Sequence, residues 1–257
     1  HEVHLYEMKP QKFSPAHHME NLAELVCSNS LKSNSLDNAH GLLKEELRLL
    51  HSLIINTADK TAVPAGTALT VDRVLFSNQV EEKLKLQKNF FLYRAEIKTI
   101  PPDSLTIIAT GPLSSEAIAR EISQMLKSSY LYFYDAISPI VEADSINMDK
   151  VFWASRYDKG TPDYLNCPLS KQEYTHFRHE LLTGEKVSTK SFEDIRHFEG
   201  CLPIEVLAER GLETLAFGPM KPVGLIDPYT GVMPYAVVQL RRENAVGTLF
   251  NMVGFQT

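Results

Sequence analysis

Cys201 stands in "FEGCLPIEVLAERG", between a glycine and a Leu-Pro pair and just ahead of an amphipathic segment. Pro203 suits the first turn of a helix, where its missing N–H costs nothing. Glu205 and Glu209 follow, and Gly211 supplies the stop. A cysteine just outside a helix N-terminus lies beside unpaired N–H groups and the positive end of the dipole, and both favour the thiolate. A thiolate is a nucleophile at neutral pH. The competing reading is packing, since cysteine is among the most often buried residue types.

A second cysteine, Cys27, closes "HHMENLAELVC", which reads as a helix with Leu22, Leu25 and Val26 on one face. That places the thiol at a helix C-terminus, where the dipole disfavours a thiolate. A protonated thiol near a reaction centre can serve as an acid or base partner, and packing is again the alternative. Cys167, in "LNCPL", has no comparable placement and reads as structural. His176 and His179 share a helical face in "HFRHE" and could bind a metal, although a solvated face explains them as well. Lys186, Lys190 and Arg196 lie near Cys201 in sequence and could meet phosphates. Their surroundings are mixed in charge, so they form no basic stripe.

These residues need elements to hold them. Residues 3 to 6 read as a strand ending in Glu7, followed by a Lys9-Pro10 loop. "GLLKEELRLLHSLIINTA" reads as one strong helix, "PAGTALTVDR" as a tight connection, and "SNQVEEKLKLQ" as a helix capped by Ser77 or Asn78. "FFLYRAEIKTI" alternates like a strand. "SLTIIATGP" reads as a buried strand ending in Thr110-Gly111, and "SSEAIAREISQML" as a capped helix. An acid closing a strand can accept hydrogen bonds from a ribose, and a glycine after a hydrophobic strand lets backbone approach a cofactor. The G-x-G-x-x-G that should precede such an acid is not in this sequence.

After about residue 128 the texture changes to aromatic-rich, proline-punctuated segments, helices near 170–182 and 203–210, and a hairpin around Asn244 to Gly247. The expected architecture is α/β: a partial, Rossmann-like dinucleotide-binding domain over 1–127, and a mixed α+β insertion domain over 128–257.

The bulk numbers narrow the class. With 44% hydrophobic and 23% charged residues the chain has a globular composition, and its net charge of −6 argues against a generally basic nucleic-acid-coating protein. Three cysteines without a Cys-x-x-Cys pair are a poor disulfide framework and a poor zinc site. Free thiols point to a reducing cytoplasm, and no apolar run reaches the roughly 18 residues of a membrane span. The chain opens at His1 rather than at a methionine, and an internal piece of a longer protein is expected.

The stretches "FSPAHHMENLAELVCSNSLKS", "IIATGPLSSEAIAREI", "LYFYDAISPIVEADSINMDKVFWASRYDKG", "DYLNCPLSKQEY", "FEGCLPIEVLAERG", "FGPMKPVGLIDP" and "PYAVVQLRRENAVGTLFNMVGFQT" are specific. Over nearly the whole chain they resemble the folate- and FAD-dependent tRNA uracil-5 methyltransferase family. That family's N-terminal G-x-G-x-x-G segment and its C-terminal part have no counterpart here. The resemblance implies methylation of a T-loop uridine of tRNA, with the carbon from methylenetetrahydrofolate and electrons from NAD(P)H through FAD. It implies that Cys201 attacks uracil C6 and Cys27 handles the C5 proton, although the two roles could be exchanged. Glu7, Lys9, Thr110 and Gly111 would lie along the FAD. A wobble-uridine flavoprotein and a non-catalytic flavin- or tRNA-binding protein are the alternatives, and the paired "LVCSNSL" and "FEGCLPIE" motifs favour the first reading.

Overall fold

The computed structural model describes residues 1–102, 104–127, 137–185 and 202–256. Strand β1 (Val3–Glu7) pairs in parallel with β5 (Phe90–Arg94), from Val3 opposite Phe90 to Glu7 opposite Arg94. Between them runs an antiparallel sheet in the order β2-β4-β3, made of β2 (Ser30–Ser33), β3 (Ala62–Val63) and β4 (Ala68–Val71).

Three helices accompany these strands: α1 (Ala39–Leu49), α2 (Leu53–Lys60) and α3 (Arg73–Lys85). Each starts on a side-chain cap, with Asn38, Ser52 and Asp72 accepting the N–H groups of Gly41, Ile55 and Leu75. Phe76, Val80, Ala58, Leu69 and Val71 form the small core beneath them. The helix α4 (Glu116–Leu126) is capped by Ser115.

The later part of the chain builds a five-stranded antiparallel sheet in the order β6-β10-β9-β8-β7. Its members are β6 (Ile140–Glu142), β7 (Phe152–Ala154), β8 (Tyr164–Leu169), β9 (Ala236–Arg242) and β10 (Leu249–Met252). Helices α5 (Lys171–Thr183), α6 (Ile204–Glu209) and α7 (Thr214–Phe217) bury Tyr174, Ile204 and Leu215 with Leu165, Leu240 and Phe250 of the sheet. A capping box between Ser170 and Glu173 starts α5. The fold is therefore mixed α/β with one parallel and two antiparallel sheets.

Several sequence expectations are corrected. The helix expected before Cys27 does not form: residues 17–27 are irregular, and Ala23 has φ +58°. Partners distant in sequence take the main-chain groups that helix would have used. Leu22 N–H donates to Glu81 at 2.7 Å, Lys9 Nζ donates to Asn21 O at 2.7 Å, and the Ser77 hydroxyl donates to Leu22 O at 2.6 Å. His18 and Met19 N–H donate to Glu24.

The single helix expected over 41–58 is two, broken where His51 adopts φ +55° and Ser52 starts a new cap. The tight connection expected at 64–73 contains β4, and the cap of α3 is Asp72, ahead of the expected Ser77 or Asn78. The buried strand expected over 104–112 is neither buried nor paired among the described residues: Leu105 and Ile107 stand in solvent. An extended segment without a neighbouring ladder has nothing to bury its side chains against. Pro203 is the residue before α6, one position earlier than expected.

Candidate functional site

Cys27 sits where the three-stranded sheet meets the five-stranded one. It is partly buried, and it is not at a helix end, so the dipole argument for its protonation state does not apply. Four groups fix the main chain and neighbours of this cysteine. Arg73, the first residue of α3, donates from Nη1 to Val26 O at 3.0 Å, and Ser138 N–H donates to Cys27 O at 3.2 Å. Arg241 of β9 donates from Nη2 to Ser28 Oγ at 2.8 Å and to Asn29 Oδ1 at 3.0 Å. Asn29, wholly buried, donates from Nδ2 to Val71 O and Arg242 O, both at 3.0 Å.

Charge is balanced in this junction. Arg73 Nε meets Glu243 Oε1 at 2.6 Å, and both side chains are largely withdrawn from water. Asp72 caps α3 with one carboxylate oxygen and accepts Ala245 N–H at 3.0 Å with the other. Burial draws the Arg241 guanidinium below the ordinary arginine range, with Tyr164 and Glu243 opposing that shift. An arginine nevertheless stays protonated in a protein.

The thiol itself has a neighbour that the sequence reading missed. Gln256 Nε2 lies 3.9 Å from Cys27 Sγ, and the main-chain carbonyl of the same residue accepts Ile204 N–H at 2.7 Å. Ile204 opens α6, three residues after Cys201 in sequence. Cys201 lies outside the described residues, as do Lys186, Lys190 and Arg196. Cys167 is a β8 residue whose thiol burial pushes up to about 11.

Glu7 closes β1 and its carboxylate accepts Lys9 N–H at 3.0 Å. Lys9 is buried, and its ammonium contacts Asn21 O and, at 3.2 Å, the buried carboxylate of Glu24. Thr110 and Gly111 stand on an exposed turn, with the Thr110 hydroxyl hydrogen-bonded to that of Ser114 and Gly111 at φ +65°. Among the described residues no hydrogen bond joins Thr110 or Gly111 to Glu7 or Lys9. His176 and His179 stand on the exposed face of α5, and among the described residues no three His, Cys, Asp or Glu side chains converge as a metal site. No helix among the described residues is long and apolar enough to cross a membrane.

This arrangement, a parallel strand pair ending in an acid and a cysteine clamped between two sheets, belongs to an α/β protein of a definite family. Residues 1–257 match the family model described as glucose inhibited division protein A, and the chain belongs to that family. It is 60% identical, over its full length, to the methylenetetrahydrofolate–tRNA-(uracil-5-)-methyltransferase TrmFO of Syntrophus aciditrophicus (strain SB). It is also 58% identical to the protein of that name from Desulfitobacterium hafniense (strain Y51), over 100% of the chain. With its counterpart from Geobacter sulfurreducens it shares 60% identity over 99% of the chain. The chain spans 58–59% of the length of these relatives.

Proposed function

We propose that the protein containing this chain methylates C5 of a T-loop uridine in tRNA, taking the carbon from methylenetetrahydrofolate. The observation that carries the reading is identity near 60%, sustained over the whole chain, with relatives bearing that name. Uracil C5 is a weak nucleophile until a group adds to C6. A thiolate suits that addition because it adds and leaves reversibly. In this reading Cys201 Sγ adds to C6, the C5 carbon so activated takes up the one-carbon unit, and Cys27 receives the C5 proton. Loss of that proton expels the amine that carried the one-carbon unit, and Cys201 leaves C6 as a hydride adds to the exocyclic carbon, which restores the ring.

The remaining reducing equivalents come from NAD(P)H, and FAD, when bound, supplies the hydride chemistry that brings the transferred carbon to a methyl group. The residues present fit part of a site for that cofactor. The ligand crevice of a parallel sheet lies beyond the carboxyl ends of its strands, and Glu7 closes β1 there, parallel to β5. Glu7 would accept from the ribose, Lys9 would fix Glu7 through its N–H, and Thr110-Gly111 would offer open backbone. Residues 1–127 would then be part of a Rossmann-like FAD-binding domain and 128–257 an insertion domain that meets substrate. Lys186, Lys190 and Arg196 would contact tRNA phosphates, and the target base must leave its stack to reach the thiols. The reaction would take place in the cytoplasm.

The test is incubation of the full-length protein with unmodified tRNA, labelled methylenetetrahydrofolate and NAD(P)H. Label is expected in 5-methyluridine. A folded, FAD-loaded protein that yields none refutes the reading, and Cys201→Ala with near-normal turnover refutes the nucleophile assignment.

A further inference from the structure

We infer that Gln256 is a positioning residue for the Cys27 thiol, tying it to the start of α6. The inference rests on the reading above, in which Cys27 serves the chemistry.

The backbone of Gln256 is anchored on both sides of the amide that reaches the sulfur. Its carbonyl accepts Ile204 N–H at 2.7 Å. The preceding Phe255 is 2% exposed and packs on Phe177 with ring centroids 6.0 Å apart. Gly254 takes φ +78°, and a Cβ there would come within 3.0 Å of Pro219, so the turn that delivers Gln256 is closed to other residues. Val253 N–H donates to Gln239 O at 2.8 Å, which joins the segment to β9. The Gln256 side chain thus starts from a fixed point.

At the other end, the Cys27 main chain is held by Ser138 N–H on its own carbonyl and by Arg73 on the carbonyl before it. With the main chain set, side-chain contacts decide where Sγ points, and Gln256 Nε2 at 3.9 Å is one of them. A primary amide is suited to this task. It donates to sulfur in either protonation state, favours the thiolate as a hydrogen-bond donor, and carries no charge of its own. Because the same residue accepts from Ile204, a shift at the start of α6 is transmitted to the Cys27 thiol.

The test uses the full-length protein with Gln256→Glu, which keeps the shape but sets a carboxylate against the sulfur, and Gln256→Met, which keeps the length without a donor. The primary readout is the rate of Cys27 alkylation by iodoacetamide at pH 8, followed by mass spectrometry of the Cys27 peptide. A melting curve is recorded in parallel. Gln256→Glu is expected to slow alkylation about tenfold, the change in thiolate fraction that one pKa unit produces, and Gln256→Met to slow it about threefold. In turnover, kcat falls while KM for tRNA holds. Alkylation of Cys27 at the parent rate in Gln256→Met, with an unchanged melting curve, overturns the inference. If Gln256→Glu does not fold, Gln256→Met alone decides. Alkylation needs no methyl transfer, so a parent that alkylates in this Gln256-dependent way yet transfers no methyl refutes the proposed function and leaves the positioning role standing.

Discussion

Arg73 and Glu243 lie 170 residues apart in sequence and meet at 2.6 Å, and the other arm of the same guanidinium holds the carbonyl of Val26, next to Cys27. One buried ion pair therefore joins the helix that follows β4 to the hairpin that follows β9, with the cysteine loop between them. Removing one partner leaves the other charged and unpaired, which costs far more than the pair contributes. Glu243→Ala is expected to lower unfolding stability by about 3 kcal/mol, read from the urea midpoint of the full-length protein. A loss under about 1 kcal/mol would mean that the pair behaves as a surface bridge.

Glu81 predicts an acid sensitivity. It is buried, and burial alone would raise its pKa, but Lys85, the Leu22 N–H and Arg94 outweigh that and hold it below the ordinary carboxylate range. The folded form therefore keeps the charge to lower pH than the unfolded chain. Its contribution is fully present above the unfolded carboxylate value of about 4 and disappears as pH falls through the lower folded value. Glu81→Gln should cost about 2 kcal/mol at pH 7, with the gap to the parent closing in acid. Urea titrations at pH 7 and pH 3 that show the same gap would exclude the mechanism.

Much of this architecture can be read along the chain, and its failures share a cause. The capped helix α4, the β9–β10 hairpin and the helix α5 depend on neighbours within a few residues, and local pattern reports them. Residues 17–27 carry a helical pattern yet stay irregular, because Glu81, Ser77 and Lys9 capture their main chain from elsewhere. The same limit hides the surroundings of Cys27. Arg73, Asn29, Arg241 and Gln256 converge from segments as many as 229 residues apart, and no spacing rule links them. Cys27 stood out in the sequence as a candidate, while the groups that hold it did not.

Cys167 provides an internal standard for thiol reactivity. It lies on β8, and burial raises its thiol to about 11. At pH 8 only about one part in a thousand is thiolate, so iodoacetamide should leave the Cys167 peptide unlabelled over the time that labels an ordinary exposed cysteine. Labelling should rise about tenfold for each pH unit between 8 and 10. A flat profile, or fast labelling at pH 7, would show that this thiol is not in the desolvated setting the strand gives it.

Asn29 is the strictest test of the junction, because one wholly buried amide serves both sheets. Its Nδ2 donates to Val71 O on β4 and to Arg242 O on β9, while its Oδ1 accepts from Arg241. Asn29→Leu fills a similar volume but orphans two carbonyls and one contact of a buried guanidinium, and should cost about 3 kcal/mol. Asn29→Asp keeps the acceptor for Arg241 yet turns a carboxylate toward the two carbonyl oxygens, so it should also destabilise, despite adding a charge opposite an arginine. The two variants separate the possibilities. If Asn29→Asp matched the parent in urea while Asn29→Leu did not, the Arg241 contact alone would carry the junction, and the bridge from β4 to β9 would contribute nothing. Loss in both, measured beside faster hydrogen exchange of residues 26–29, is the expected outcome of an amide that holds the cysteine loop from both sides.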